Sequence, residues 1–308
     1  MSAQLALDVR NLSVSFPMRG RDADGRRRRL LAVDDVSFLV ARLVPKMAGS
    51  IIIDGTDFGA LDTEALRRAR QRVQIIFQDP YSSLNPRLRA ADIVREPLIY
   101  AGATSRTEQD RIIDELFEAV GLRPEQKALF PHQFSGGQRQ RIGIARALST
   151  RPSLIICDEP VSALDVAVQA QILNLLKSLQ AQFGLTYLFI SHDLGVVQHM
   201  CDDIAVMYMG QFMEYANRES FFAAPRHPYS EALLDAVPTI EVGAQATGGK
   251  LVDGAIPDLT KPQTGCRFAS RCPHVAAGCE DSVPLLDVWP GTSDHQLACY
   301  RAAEFAAS

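Results

Sequence analysis

Hydrophobic and polar residues alternate with a period of two along the N-terminal part of the chain. The alternation over residues 5–16 predicts a half-buried strand, and residues 32–40 and 50–54 are further strand candidates. The intervening residues 19–29 are rich in Arg, Asp and Gly and predict a loop. We interpret the run of residues 26–29 as a solvated hairpin tip, with contact to phosphate or lipid headgroups as the alternative.

The middle of the chain contains one segment whose apolar residues recur at helical spacing and several short apolar runs. Residues 166–183 predict an amphipathic helix whose apolar face carries Val168, Ile172, Leu175, Leu179 and Phe183. Apolar runs of strand length occur at residues 73–77, 154–157 and 185–191. Because strands alternate with helices, the pattern predicts an α/β fold with a parallel sheet and helical crossovers.

The composition excludes several classes of protein. The chain has 308 residues, of which 47% are hydrophobic and 22% are charged, and this balance excludes a disordered chain. Its 36 acidic and 32 basic residues give a formal charge of −4, which does not favour nucleic-acid binding. It has neither a long apolar run nor the basic start of a secretory signal, so we expect an intracellular protein without a membrane-spanning helix.

A change in composition divides the chain. From residue 227 onward Pro, Gly and Ala become more frequent and periodic segments fade. We therefore predict a main domain over residues 1–227 and a smaller C-terminal extension over residues 228–308. Four of the six cysteines lie in this extension.

A serine and two glycines open an amphipathic helix in the main domain. Ser135, Gly136 and Gly137 precede the sequence QRQRIGIARAL. A helix start of this kind presents unpaired N–H groups and the positive end of the helix dipole, and glycine allows an anion to approach the backbone. The alternative is a simple serine N-cap followed by flexible glycines.

Polar side chains stand where three predicted strands end. Asp158 and Glu159 end one strand, His192 follows another and Gln78 follows a third. Ligands bind at this edge of parallel sheets, so we expect Asp158 to hold magnesium through water and Glu159 to orient or deprotonate an attacking water. His192 suits contact with a terminal phosphate. The alternatives are solvated acids and a structural histidine.

In this order the motifs resemble those of the nucleotide-binding domain of ABC transporters. Residues 134–138 (FSGGQ) are similar to the signature motif of that family, and residues 154–160 (LIICDEP) to its Walker B strand with the catalytic glutamate. Residues 162–165 (SALD) are similar to the D-loop, His192 to the switch histidine and Gln78 to the Q-loop glutamine. The resemblance covers roughly residues 5–225 and implies an ABC-type P-loop NTPase fold, with a parallel sheet core, an antiparallel β subdomain and a helical subdomain.

The resemblance also implies a role for each matching residue. The implied catalytic residues are Glu159, His192 and Gln78. The implied nucleotide-binding residues are Phe16, where the family places an aromatic ring against adenine, and Ser135, Gly136, Gly137, Gln138 and Asp165. The implied magnesium ligands are Asp158 and Gln78.

Three further segments resemble the ATPase subunits of oligopeptide and dipeptide importers. They are residues 78–87 (QDPYSSLNPR), 227–238 (HPYSEALLDAVP) and 265–273 (GCRFASRCP). The resemblance implies ATP and Mg²⁺ as ligands, and a cytoplasmic location at the inner face of the membrane. The implied partners are a second ABC ATPase subunit, identical or paralogous, and two transmembrane permease subunits. An extracytoplasmic peptide-binding protein is an indirect partner, and no nucleic acid is expected.

One motif of that family is missing from the sequence. The chain contains no G-x-x-x-x-G-K-[ST] P-loop, and its only Gly-Lys pair, Gly249-Lys250, is followed by Leu251. The motif belongs near residues 42–43, and roughly 25 to 30 residues of a central strand, P-loop and helix are absent, judged from the usual length of this unit.

A P-loop cradles and neutralises phosphates, so we expect an impaired ATP site in this chain. The motif of residues 135–138 would then serve the site of a partner. A catalytic ATPase and a non-catalytic subunit that lends this motif both remain open, whereas a soluble ABC ATPase of DNA repair or translation fits poorly.

The four C-terminal cysteines form a candidate metal site. They are spaced C-x5-C-x6-C-x19-C, at Cys266, Cys272, Cys279 and Cys299. Zinc sites usually contain closer cysteine pairs, whereas four thiolates suit a [4Fe–4S] cluster. The resemblance favours the iron–sulfur cluster over zinc, and four free thiols in a reducing compartment are the alternative.

Overall fold

A computed structural model describes residues 7–21, 27–33, 48–102, 105–237, 264–289, 291–292, 294–302 and 304. The strands are β1 (Leu7–Arg21), β2 (Arg27–Val33), β3 (Ala48–Ile53), β4 (Thr56–Asp57), β5 (Val73–Ile76), β6 (Leu154–Asp158), β7 (Thr186–Ile190), β8 (Asp203–Tyr208), β9 (Gln211–Asn217), β10 (Asp287–Val288) and β11 (Gln296–Leu297). The helices are α1 (Thr63–Ala69), α2 (Ala90–Ala101), α3 (Arg106–Ala119), α4 (Gly136–Leu148), α5 (Val166–Phe183), α6 (Leu194–Met200), α7 (Arg218–Ala223) and α8 (Pro228–Asp235).

These elements belong to two compact units. The first contains residues 7–8 and the described residues from 51 to 196, and the second contains residues 9–21, 27–33, 48–50, 197–237 and the described residues from 264 onward. The domain boundary between residues 227 and 228 stays a prediction. None of the helices in the described part of the chain combines the length and the hydrophobicity needed to cross a bilayer.

A parallel sheet forms the centre of the first unit, as the alternation of strands and helices predicts. Its order is β5–β6–β7, with both pairs parallel. The central strand β6 has four consecutive fully buried residues, Leu154 to Cys157. A strand that is buried on both faces has a continuous apolar sequence, and for this reason the apolar run at residues 154–157 predicted β6 correctly.

The strand β7 is less well covered than its neighbour. Its sequence is almost as apolar as that of β6, yet its three middle residues are only half-buried and Ile190 is 42% exposed. In the described part of the chain, β7 pairs with β6 and leaves its other edge unpaired. Strands of parallel sheets are normally covered on both faces, so β7 is under-packed for its composition.

The helix α5 has the predicted bounds but a rotated buried face. Asp165 caps its start by accepting from Val168 N–H, and Gly184 ends it in the left-handed conformation at φ 65°. The buried residues are Ile172, Leu173, Leu176 and Leu179. Predicted Val168, Leu175 and Phe183 are only half-buried, because the buried stripe is rotated about the helix axis toward Leu173 and Leu176.

The predicted N-terminal loop is wrong at both of its ends. β1 continues to Arg21, β2 begins at Arg27, and the two strands pair antiparallel with Arg21 opposite Arg27. Hairpin pairing therefore overrides the charged composition at residues 19–21 and 27–29, since strand hydrogen bonds need only the backbone. The predicted strand at residues 32–40 overlaps β2 at its first two residues, and residues 34–40 lie outside the described residues.

The second unit is built on an antiparallel sheet in the order β10–β11–β9–β8. The carboxylate of Glu214 on β9 is fully buried and accepts from the N–H groups of Arg226 and His227, at 2.8 and 3.0 Å, and from His295 Nε2 at 2.6 Å. Burial alone raises the pKa of Glu214, but these hydrogen bonds outweigh it and leave the pKa below its ordinary value. His227 in turn caps α8.

The rotated face of α5 gives a test of the packing. We expect Leu176→Ala to lower the free energy of unfolding by about 2–5 kcal/mol, because the side chain is fully buried and its removal leaves a cavity. The neighbouring Leu175→Ala is the matched control and should cost clearly less, since Leu175 is only half-buried. Denaturant unfolding of both variants measures the difference, and equal losses would contradict the assigned face.

Candidate functional site

A carboxylate held between two other strand ends forms the centre of the candidate site. Gln78 Nε2 donates to Glu159 Oε2 at 2.6 Å, and His192 Nδ1 lies 2.9 Å from Glu159 Oε1. The three residues follow β5, β6 and β7, whose carboxyl ends meet at one edge of the sheet. The structure thus brings together the three residues predicted to be catalytic, and their roles stay predictions.

Glu159 adopts an uncommon backbone conformation. Its φ is 45°, in the left-handed region that non-glycine residues rarely occupy and that costs about 1–2 kcal/mol. Its N–H donates to Ile190 O at 3.0 Å, and its carbonyl accepts from the N–H and the hydroxyl of Ser162, at 3.2 and 3.1 Å. These bonds fix the turn that directs the side chain of Glu159 toward Gln78 and His192.

The contact with Glu159 changes the acid–base behaviour of His192. The hydrogen bond to this carboxylate, helped by its negative charge, raises the pKa of His192 above its ordinary value. Since a carboxylate can only accept, Nδ1 carries the donated proton and Nε2 is left facing away from Glu159. Protonated His192 would present a second N–H to an anion at that position.

Asp158 stands next to Glu159 with its side chain exposed to solvent. No hydrogen bond or ion pair of its side chain occurs with the other described residues. Gln78 uses its amide nitrogen on Glu159, which leaves its amide oxygen for another partner. One carboxylate and one oxygen fit Mg²⁺, which binds through one or two protein oxygens together with substrate phosphates.

The start of α4 is held by a capping box. Ser135 Oγ accepts from Gln138 N–H at 3.3 Å, and Gln138 Oε1 accepts from Ser135 N–H at 3.1 Å. The serine N-cap considered from sequence is therefore present in this structure. The N–H groups of Gly136 and Gly137 have no acceptor among the described residues, as usual for a first helical turn, and suit an anion.

The second glycine of this motif is required by close packing. A Cβ at Gly137 would lie 2.5 Å from Val168 Cγ1 in the first turn of α5, and a Cβ at Gly136 would meet Leu164 Cδ2 at 3.4 Å. Gln140, one turn further along α4, donates to Pro160 O at 2.7 Å. The helix that starts with the serine and glycines is thus attached to the turn that carries Glu159.

Gln140, Arg139 and Arg146 make contacts that the sequence reasoning did not identify. Arg139 and Gln140 are buried polar residues in α4. Their signal in the sequence is weak, because both lie in the polar run QRQR of residues 138–141 and nothing local distinguishes them from exposed residues. Phe16 lies on β1, but its side chain, like residues 42–43 where the P-loop belongs, is outside the described residues.

The four C-terminal cysteines border one small cavity of the second unit. All four are free thiols, and they line the cavity with His227 and Phe268. Burial raises the pKa of the Cys266 thiol to about 11 and also raises the pKa values of Cys272 and Cys299, which favours the neutral form of these three thiols. No three metal-ligating side chains in the described part of the chain are arranged to hold a metal ion.

Comparisons with known proteins match both parts of the chain. Residues 37–162 match the ABC transporter family, and residues 213–279 match the oligopeptide/dipeptide transporter C-terminal region. The oligopeptide transport ATP-binding protein AppF of Bacillus subtilis is 39% identical over 96% of this chain and 96% of its own length. The chain belongs to the ATP-binding proteins of ABC transporters.

Other members of this family are similar to different extents. A putative peptide import ATP-binding protein of Brucella ovis is 46% identical over 85% of this chain and 82% of its own length. The putative oligopeptide transport ATP-binding protein YkfD of Bacillus subtilis is 41% identical over 97% of this chain and 96% of its own length. The alignment to YkfD has 326 positions, and the whole chain has 308 residues, so at least 18 positions lie opposite gaps in this chain.

Solved ATP-binding cassettes have a similar fold. A dimeric cassette in a post-hydrolysis state, bound to ADP and Pi, matches with a TM-score of 0.59 and 26% identity, over 69% of this chain and 98% of its own. The subunit cbiO1 from Clostridium perfringens matches with a TM-score of 0.60 and 22% identity, over 72% of this chain and 92% of its own. These matches agree with the predicted α/β fold of the ABC type.

The His192–Glu159 contact predicts a measurable titration. We expect NMR of the imidazole to give His192 a pKa above its ordinary value of about 6.5, so that the charged contact is present at lower pH and is lost as pH rises through the raised value. Glu159→Gln should lower this pKa. Asp193→Asn is the control and should lower it less, because Asp193 acts on the ring only through its charge. An unchanged pKa in Glu159→Gln would contradict the contact.

The close approach at Gly137 predicts a selective effect of an added methyl group. Gly137→Ala should lower the free energy of unfolding by about 1–3 kcal/mol through overpacking against Val168. Gly143→Ala on the same helix is the matched control, because no atom lies within 4 Å of its added Cβ, and it should be neutral or stabilising by up to about 1 kcal/mol. Thermal unfolding of the pair checks this, and a harmless Gly137→Ala would refute the packing.

Proposed function

We propose that this chain is the ATP-binding subunit of a peptide-importing ABC transporter, whose own ATP site is impaired and whose signature motif completes the ATP site of a partner subunit. The carrying observation is Glu159, held by Gln78 and His192 at the sheet edge to which α4 is also attached. Relatives named as peptide import and oligopeptide transport ATP-binding proteins support peptides as the cargo class.

The impaired site follows from the sequence, which lacks the P-loop. The gaps opposite YkfD support this loss, since 326 positions less 97% of 308 residues leaves about 27 unmatched positions. Among the residues that the structure describes, β7 has an unpaired edge and half-exposed side chains, and this supports the proposal too, because a lost neighbouring strand would leave β7 in this condition. Without the P-loop, the main phosphate cradle and its lysine are absent.

The residues that remain have separate tasks in this proposal. Glu159, oriented by Gln78 and His192, takes a proton from an attacking water, and His192 contacts the terminal phosphate. Mg²⁺, held by Asp158 and Gln78, would neutralise charge on the phosphates. These three tasks belong to the chain's own site and have little effect when the nucleotide is poorly held there.

The start of α4 has a different task. The N–H groups of Gly136 and Gly137, which have no acceptor among the described residues, and Ser135 Oγ would bind an anion without the chain's own P-loop. In the proposed assembly this surface closes over ATP bound by a second ABC ATPase subunit, identical or paralogous, at the cytoplasmic face of two permease subunits. Residues 78–87 receive a segment of a permease, and an extracytoplasmic binding protein delivers the peptide.

ATP turnover of this chain mixed with an intact partner subunit distinguishes a role in the partner's ATP site from catalysis in the chain's own site. With an intact subunit that carries a P-loop, we expect the wild-type chain to raise ATP turnover above that of the partner alone. Ser135→Ala should lower this gain about 10-fold or more, whereas Glu159→Gln should leave it nearly unchanged. The isolated chain should show no saturable binding of Mg-ATP in calorimetry.

The reverse pattern would contradict the proposed division of tasks. If Glu159→Gln abolishes the gain and Ser135→Ala does not, the chain hydrolyses ATP in its own site. If wild-type chain gives no gain over the partner alone, it does not complete the partner's site. Circular dichroism of each variant shows that the fold is retained.

For the C-terminal cavity we propose a [4Fe–4S] cluster held by Cys266, Cys272, Cys279 and Cys299. Four unpaired thiols that line one cavity are the donors that such a cluster needs. The described residues do not hold them around a metal position, so cluster binding would have to remove their protons and draw them together. The cluster would brace the extension. Iron and sulfide analysis of anaerobically purified protein should give iron and sulfide in equal amounts, and zinc without iron or metal-free protein would reject the cluster.

A further inference from the structure

Two arginines of α4 reach the segment that follows β5. Arg139 and Arg146 are seven residues apart and so lie on one face of the helix. The Arg139 guanidinium lies 3.8 Å from the centroid of the Tyr81 ring. Arg146 donates to Ser83 O at 2.6 Å and lies 5.8 Å from the Phe77 ring centroid.

The contact of Arg139 with Tyr81 is buried on the arginine side and open on the aromatic side, and Arg146 is half-buried. Arg139 is only 8% exposed, whereas Tyr81 is 63% exposed. Arg139 Nε donates to Pro131 O at 2.6 Å, but its NH1 is buried and has no acceptor in the described part of the chain. A buried guanidinium needs electrostatic compensation, and the face of the Tyr81 ring supplies it.

The segment that the arginines hold has its own internal order. Asp79 Oδ1 accepts from Tyr81 N–H at 2.7 Å, Ser83 N–H donates to Asp79 O at 3.2 Å, and the Leu84 side chain is buried. The segment begins with Gln78, which is bonded to Glu159. It therefore joins the candidate site at one end and α4 in its middle.

The contacts close a ring within the first unit. Starting from Glu159, they run through Gln78 to Tyr81 and Ser83, across the two arginines into α4, and back from Gln140 to Pro160, the neighbour of Glu159. A ring of hydrogen bonds and a cation–π contact resists shearing better than any single bond.

We propose that Arg139 and Arg146 are positioning residues that make the segment of residues 78–84 and α4 move as one body. A displacement at exposed Tyr81 is then transmitted to Ser135, Gly136 and Gly137 at the start of the helix. The consequence for ATP turnover rests on the proposed function, whereas the mechanical link between the two elements does not.

Hydrogen exchange of the full chain tests the mechanical link. Tyr81→Ala should speed amide exchange in the first two turns of α4 about 5- to 30-fold, although the substitution lies in another element. Tyr81→Phe keeps the ring and should change this exchange less than about 2-fold. The exchange of α5 should stay as in the wild type.

Two results would overturn the link. Exchange that rises only within residues 78–84 would show that Tyr81 does not hold α4. Equal acceleration throughout the first unit would show that the arginines serve global stability only. In an Arg139→Met background, the added effect of Tyr81→Ala on α4 should vanish, and an undiminished effect would also reject the link.

The mixing assay then measures the functional consequence separately. With an intact partner, Tyr81→Ala should lower kcat for ATP and leave KM unchanged, because the partner's P-loop still binds ATP, and Tyr81→Phe should restore kcat. A changed KM with unchanged kcat would reject a positioning role. If even the wild-type chain gives no turnover gain, the proposed function fails, while the exchange experiment still decides the mechanical link.

Discussion

The geometry of the candidate site depends on the position of the Glu159 carboxylate, which contacts both Gln78 and His192. Glu159 sits in a left-handed turn that its own side chain does not favour, and the turn persists because backbone bonds to Ile190 and Ser162 hold it. The side chain is consequently directed toward Gln78 and His192 rather than along the strand. Hydrogen bonds thus tie together the ends of three parallel strands, and a change at any of them reaches the other two.

The same turn connects the sheet to the helix that begins with Ser135. Gln140 is almost fully buried, and it bonds to a carbonyl next to Glu159. A buried amide is tolerated in a helix core only when it is satisfied, so this contact fixes one orientation of the helix. The polar residues inside α4 therefore specify where the glycines lie, while the apolar residues supply stability.

The elements that carry the site could be predicted from the sequence, because each is specified by residues close to one another in the chain. The apolar run of β6, the serine cap of α4 and the bounds of α5 depend on neighbours in the chain. The meeting of Gln78, Glu159 and His192 was predictable because carboxyl ends of parallel strands share an edge. The buried face of α5 was not predictable to the residue, because it depends on which elements cover the helix.

Contacts between distant segments explain the other differences. Pairing of β1 with β2 extends both strands into arginine-rich sequence that local composition assigns to a loop. The stacking of Arg139 on Tyr81 joins residues far apart in the chain, and neither residue alone signals it. Such contacts require the fold to be known first, whereas capping and strand ends do not.

The edge of β7 that has no paired strand in the described part of the chain has a consequence for the behaviour of the protein in a cell. Its sequence, TYLFI, has no charge or proline of the kind that natural edge strands use to discourage pairing with other chains. Newly made copies would present this edge to one another and to chaperones before assembly. Because an unpaired edge can pair with another chain, we expect copies that are not yet assembled to be prone to aggregation or proteolysis.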